Sequence, residues 1–277
     1  MSVTEAFSRS SLRAFGIIFT LGCLGVASAQ NLASSPSLPD SPGTASMSSN
    51  EDISSSDESF TVKKLPQRFL NDEWQILSSP TRTEKSDMKW LLPLAGTSAL
   101  AFATDTHTMR HVVSSDPDFN SANGTASDAI RDAAIGIPAI MFIMGYRKED
   151  DRLRETGLLS GEAMLDAYAL STAVKYIALR ERPEINNARG HFWSGDASSD
   201  PSFVSGHAVV TWSSAAVMAG EYSKPWQQVA IYSFSTGLSV TRVLSQQHFP
   251  SDVLLGSAAG WLIGHYIYRA HHKQHSK

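Results

Sequence analysis

The chain carries a single cysteine, Cys23, among its 277 residues. It lies in an apolar run near the start, so a mature chain cut after that run has neither a thiol nor a disulfide. Basic residues are not in excess: 23 Lys and Arg stand against 27 Asp and Glu, for a formal charge of −4, and nothing in that balance points to nucleic acid. Residues 30–60 contain no Lys or Arg at all. They are rich in Ser and Pro and hold Asp40, Glu51, Asp52, Asp57 and Glu58, a composition that cannot bury a core and reads as a disordered acidic spacer. No internal repeat is visible, and no alternating strand pattern competes with the helical one. Apolar stretches long enough to span a bilayer, about 20 residues, are also lacking. They are interrupted by Asp105, Asp132, Glu162, Asp166, Lys175, His207, Arg242 and His265. With a mean hydropathy of −0.15, the expectation is a soluble or membrane-associated domain, with an integral membrane protein the weaker reading.

What is present begins with an export signal. Arg9 and Arg13 give a basic start, Ala14 to Val26 an apolar run, and Ala27-Ser28-Ala29 a small-residue cleavage site before Gln30, so residues 1–29 read as a cleaved signal peptide and the mature chain as periplasmic or exported. Leu21-Gly22-Cys23 is a weaker lipoprotein signal, because the basic residues leave too short an apolar stretch before the cysteine. The folded domain is then 61–277. Phe69, Leu70, Trp74, Ile76 and Leu77 predict a short leading helix closed by Pro80. Six longer helices follow, at about 88–112, 128–147, 160–182, 205–221, 225–244 and 250–270. Ser127 or Asp128, Ser160 and Ser205 suit the N-caps, Pro225 and Pro250 the first turns, and Pro183 the end of the third long helix. The fold class is all-α, a six-helix bundle with a short leading helix. The polar connection between Arg182 and Ser205 is long enough to read as a functional lid.

Three fragments carry the chemistry. Lys175 and Arg182 are seven residues apart, which on one helix is nearly two turns and about 10 Å, so both can reach one anion. Lys175 lies in an apolar context where an unpaired ammonium is costly. Ser205-Gly206-His207 opens the next helix, where backbone N–H groups and the helix dipole attract anions. Ser205 alone also suits a plain N-cap, and His207 alone a satisfied core histidine. Arg242 offers a planar grip on phosphate oxygens. His248 and Asp252, four residues apart, suit a histidine–carboxylate pair that fixes the tautomer and leaves the other ring nitrogen to attack. Together they suit phosphoryl transfer through histidine.

In this order around a helical bundle, the fragments resemble the type-2 phosphatidic acid phosphatase and vanadium haloperoxidase superfamily over about residues 160–270. The resemblance implies that Lys175, Arg182 and Arg242 bind phosphate, with Ser205 and Gly206 completing the cradle. It also implies His248 as the nucleophile forming a phosphohistidine, His207 as the general acid and Asp252 as the orienting carboxylate. No metal or other cofactor is implied, the protein cations taking the electrostatic part. Two positions depart from the family pattern: Val204 stands where proline is usual, and Thr241 where serine is usual.

The expected activity is a metal-independent phosphoric ester hydrolase acting on a phosphomonoester or a lipid (pyro)phosphate, with a membrane surface as a partner and no nucleic acid. A vanadate-dependent haloperoxidase, with vanadate in the same pocket, and a non-catalytic anion- or lipid-binding protein are the alternatives. His107 and His111 have metal-ligand spacing but lack a third ligand and read as surface residues. His271, His272 and His275 read as a frayed basic tail. Phe192 and Trp193 suit either the mouth of the site or ordinary lid packing.

Overall fold

The computed structural model describes residues 65–78, 88–195 and 200–272. The expected signal peptide and acidic spacer lie outside the described residues. Those described form seven α-helices and no strand: α1 (Leu65–Ser78), α2 (Met88–His111), α3 (Pro117–Lys148), α4 (Asp151–Ala178), α5 (Gly206–Glu221), α6 (Pro225–Leu244) and α7 (Pro250–His271).

Two helices begin well before the expected positions. Asp116 caps α3, its carboxylate accepting from the Asp118 and Phe119 amides, with Pro117 in the first turn. The cap is therefore neither Ser127 nor Asp128, both of which lie inside the helix. Asp150 caps α4 by accepting from the Leu153 amide, and Ser160 is a buried interior residue. Both early segments are polar, so apolar periodicity gave no sign of them. Helix α4 also stops sooner than Pro183 suggests. Leu179 takes a left-handed conformation at φ 42° and donates its N–H to the Lys175 carbonyl, which closes the helix at Ala178. Arg182 thus lies beyond the helix and does not share a helical face with Lys175.

Helix α5 is the centre of the molecule and is buried along nearly its whole length, from Ala208 to Ala219. Against it lies α7, with Gly256, Gly260 and Gly264 facing the α5 backbone. A Cβ on Gly260 would sit 2.2 Å from the Val209 carbonyl oxygen, and one on Gly264 would sit 2.0 Å from that of Ser213. Only glycine permits so close an approach. The consequence is register: the Ser205 amide donates to the Asp252 carbonyl at 3.2 Å, so the first turns of α5 and α7 meet at one end of the bundle.

The 182–205 connection is not a free flap where it is described. Trp193 and Ser194 donate backbone hydrogen bonds to the Ala178 and Leu179 carbonyls, Glu181 to that of His191, and Ser202 to that of Arg180. The buried Glu181 carboxylate accepts from Asn186, Ser194 and the His191 amide, pinning the loop from within.

Candidate active site

The end of α4, the first turns of α5 and α7, and the last turn of α6 bring the sequence-predicted residues into one region. Gly206 packs against Lys175, whose Cε lies 3.7 Å from where a glycine Cβ would stand. The Lys175 ammonium donates to the Pro201 carbonyl at 2.5 Å. Burial, and next the neighbouring Arg182, pull its pKa down to about 8. Arg182 is held by the Asp200 carboxylate at 2.6 Å and by backbone carbonyls of Asp200 and Gln247. Arg242 is buried, reaches Ser127 at 3.3 Å, and has its pKa lowered to about 10 by burial and then by Arg182. Its carbonyl accepts from the His248 amide at 3.3 Å, joining the end of α6 to the turn before α7.

Three buried polar atoms here, Ser205 Oγ, Arg242 Nε and His248 Nδ1, have no hydrogen-bond partner among the described residues. Buried groups of this kind are costly unless satisfied. Two of them are donor types that match a tetrahedral oxyanion.

The His248–Asp252 pair differs from expectation. Nδ1 lies 3.7 Å from Asp252 Oδ2, an ion-pair distance rather than a hydrogen bond. Both Asp252 oxygens are engaged elsewhere: Oδ2 accepts from the Phe249 amide at 2.9 Å and Oδ1 from Arg180 at 2.6 Å. His248 is 1% exposed. Burial, then the charges of Arg242, Lys175 and Arg182, hold its pKa well below the ordinary value. The imidazole is therefore neutral, the form that can attack.

Sequence reasoning missed Arg180. It is buried, with its other arm on Asp105 at 2.7 Å, and Ser251 contacts both Arg180 and Asp105. Its guanidinium stands 4.2 Å from the Phe249 ring centroid, with Phe192 and Phe102 at 5.0 and 5.1 Å. Gly190, at φ +63°, passes so close to Phe249 that a Cβ would lie 2.7 Å from the ring. Phe192 thus belongs to this packed cluster, while Trp193 is exposed. Arg180 stands two residues before the second phosphate-binding candidate, and its apolar approach was the available signal.

Asp128 and Arg131 on α3 were also missed. His207 Nε2 is 2.8 Å from Arg131 NH1 and 3.1 Å from Asp128 Oδ1. Burial, then Arg242 and Arg131, lower the His207 pKa to about 4, so in this arrangement Nε2 accepts from the guanidinium. Among the other histidines, His107 and His111 are exposed and stack on one another at 4.8 Å. The frayed-tail reading fails for two of its three members. His271 contacts Asp72 at 2.8 Å, and His272 contacts Glu155 at 3.0 Å; His275 lies outside the described residues.

Residues 156–276 match the family model of the PAP2 superfamily. Among curated proteins, the chain is 34% identical over 71 residues to a lipid A 1-phosphatase of Porphyromonas gingivalis, covering 25% of this chain and 16% of that protein. It is 29% identical over 113 residues to a decaprenylphosphoryl-5-phosphoribose phosphatase of Mycobacterium tuberculosis, covering 41% of this chain and 60% of that one. The chain thus spans only part of the length of either relative. No solved structure matches. The matched segment runs from the first turns of α4 through α7 and contains the Lys175, Ser205-Gly206-His207 and His248 fragments, and it is over this segment that the chain is similar to the PAP2 superfamily.

Proposed function

We propose that the protein is a phosphatase of phosphorylated lipids, exported to the periplasm, in which six long helices form the catalytic bundle. One observation supports this reading: His248 is buried beside the first turn of α5, and its burial, then the nearby charges of Arg242, Lys175 and Arg182, push its pKa down and favour the neutral ring. His248 attacks phosphorus with Nε2, and the bond to the leaving oxygen breaks as His207 delivers a proton to it. Water then cleaves the phosphohistidine, with His207 taking the proton back. Lys175, Arg182 and Arg242 neutralise the equatorial oxygens, the part that metal ions take in other phosphoryl transfers. Asp128 accepts from His207 once the ring is protonated, and Asp252 orients His248 through the charge across their 3.7 Å gap.

The lipid part rests on two further observations. An apolar recess lined by Ala134, Ile137, Thr211, Met218, Ile231 and Phe234 begins one helical turn from His207 and runs along α5. Its apolar lining suits an acyl or prenyl chain. Both curated relatives bear names of lipid-phosphate phosphatases, which supports hydrolysis over haloperoxidation.

The test is phosphate release from lipid A phosphate, prenyl phosphates, phosphatidic acid and a soluble aryl phosphate. His248→Ala should abolish release from all of them. His207→Ala should slow departure of poor leaving groups most, while an activated aryl ester should still release its alcohol in a burst ahead of slow phosphohistidine hydrolysis. Near-native turnover by the His248 variant would remove the nucleophile from this scheme.

A further inference from the structure

A second cluster of charged side chains lies far from this site. Glu162 and Asp166 stand one turn apart on α4. Asp72 and Glu73 come from α1, and His271 from the last turn of α7. Asp72, Glu162 and Asp166 are buried, and so many carboxylates are costly without compensating positive charge. Arg68 offers one guanidinium, 2.7 Å from Glu162 Oε2, and His271 Nε2 lies 2.8 Å from Asp72 Oδ2.

That charge does not close the account of the cluster. Asp166 is 0% exposed, and neither of its oxygens has a hydrogen-bond partner among the described residues; Glu162 Oε1 and Glu73 Oε1 are likewise buried and unpartnered there. The cluster therefore has a surplus of acceptors and a shortage of positive charge. One ligand atom each from Asp72, Glu162 and His271 lie within 4.8 Å of one another. Around a tetrahedral ion with bonds of about 2.1 Å, ligands stand about 3.4 Å apart. Small movements of three side chains would therefore make a ligand set.

We propose that Asp72, Glu162 and His271 bind a divalent transition-metal ion of the zinc type, with Asp166 accepting a hydrogen bond from a water on the ion. One imidazole among two carboxylates suits zinc; magnesium and calcium prefer all-oxygen sites. The three ligands come from α1, α4 and α7, so the ion clamps the leading helix to the body. Glu162 precedes Lys175 by 13 positions of one helix, about 20 Å along its axis. The ion is therefore structural and separate from phosphate chemistry, and it stands whether or not the catalytic reading does.

The test uses the full chain, stripped with chelator and titrated with zinc, magnesium and calcium by calorimetry, with cobalt(II) absorption as a second readout. One zinc per chain should bind, and the thermal midpoint should rise with it. Affinity should fall at least tenfold in Glu162→Gln and in His271→Ala, while the cobalt spectrum changes in His271→Ala. A His107→Ala/His111→Ala variant controls for the exposed pair and should bind like the parent. Absence of zinc binding, binding unchanged in Glu162→Gln and His271→Ala, or binding lost in the His107/His111 variant would each overturn the proposal. Brief chelation should lower the midpoint yet leave the initial rate of phosphate release at 25 °C unchanged.

Discussion

At the scale of single residues, the electrostatics of the cradle set the pH behaviour. In the proposed mechanism His207 works as an acid, and in the free protein its pKa is lowered to about 4 by burial and then by Arg242 and Arg131. A bound phosphate dianion offsets those cations and raises it again. The kcat profile, which reports the complex, should therefore fall at a higher pH than the kcat/KM profile. Lys175, lowered to about 8, loses its charge above that value, so KM should rise on the alkaline side; a KM flat through pH 8 to 9 would remove the ammonium from the cradle. Asp200 pairs with Arg182 and would compete with a phosphate for it. It is largely exposed, so Asp200→Asn should lower KM by no more than about fivefold. Arg180 is a harsher case. Arg180→Met strands the Asp105 and Asp252 carboxylates in the interior, which should cost about 3–5 kcal/mol of stability, measurable by denaturant unfolding. Turnover should fall with it, because Asp252 loses the contact that fixes its Oδ1.

At the scale of helices, the sequence was legible where apolar periodicity and proline coincided and illegible where polar residues were buried. Pro225 and Pro250 marked the starts of α6 and α7 correctly. The first turns of α3 and of α4 were hidden, in α4 because Glu155 and Thr156 occupy interior positions that periodicity assigns to apolar side chains. The eight candidate site residues were legible as types and spacings, yet the route that brings them together was not. Arg182 arrives from a loop, and the partners Arg180, Asp105, Asp128 and Arg131 come from contacts distant in sequence. The glycines of α7 show why geometry matters here. Gly260→Val drives a side chain into the Val209 carbonyl and should cost at least about 1–3 kcal/mol, with kcat falling as the starts of α5 and α7 separate. Gly161 is the control. A Cβ there meets nothing within 4 Å, so Gly161→Ala should leave kcat unchanged and stabilise by up to about 1 kcal/mol.

At the scale of the whole molecule, the question is what the outer surface faces. The expectation that no helix is long and apolar enough to cross a bilayer needs correction for α3: its 32 residues contain an 18-residue window of mean hydropathy 1.4, of which only 17% is buried within the molecule. Ile135, Ile137, Ile140, Ile143 and Met144 on α3 are exposed, as are Leu165, Tyr168 and Ile177 on α4 and Trp226 and Val229 on α6. So much outward apolar surface is unusual for a protein that meets only water, and it fits an enzyme that draws phosphorylated lipids from a bilayer. The contact would be apolar rather than ionic, since the chain carries a formal net charge of −4, so salt should not release it. On cell fractionation the protein should sediment with membranes through a high-salt wash and leave them only with detergent. Replacing Ile137, Ile140 and Ile143 with Gln should shift it toward the supernatant while hydrolysis of a soluble aryl phosphate persists. Recovery of the parent protein in the supernatant without detergent would mean that these side chains do not rest on lipid.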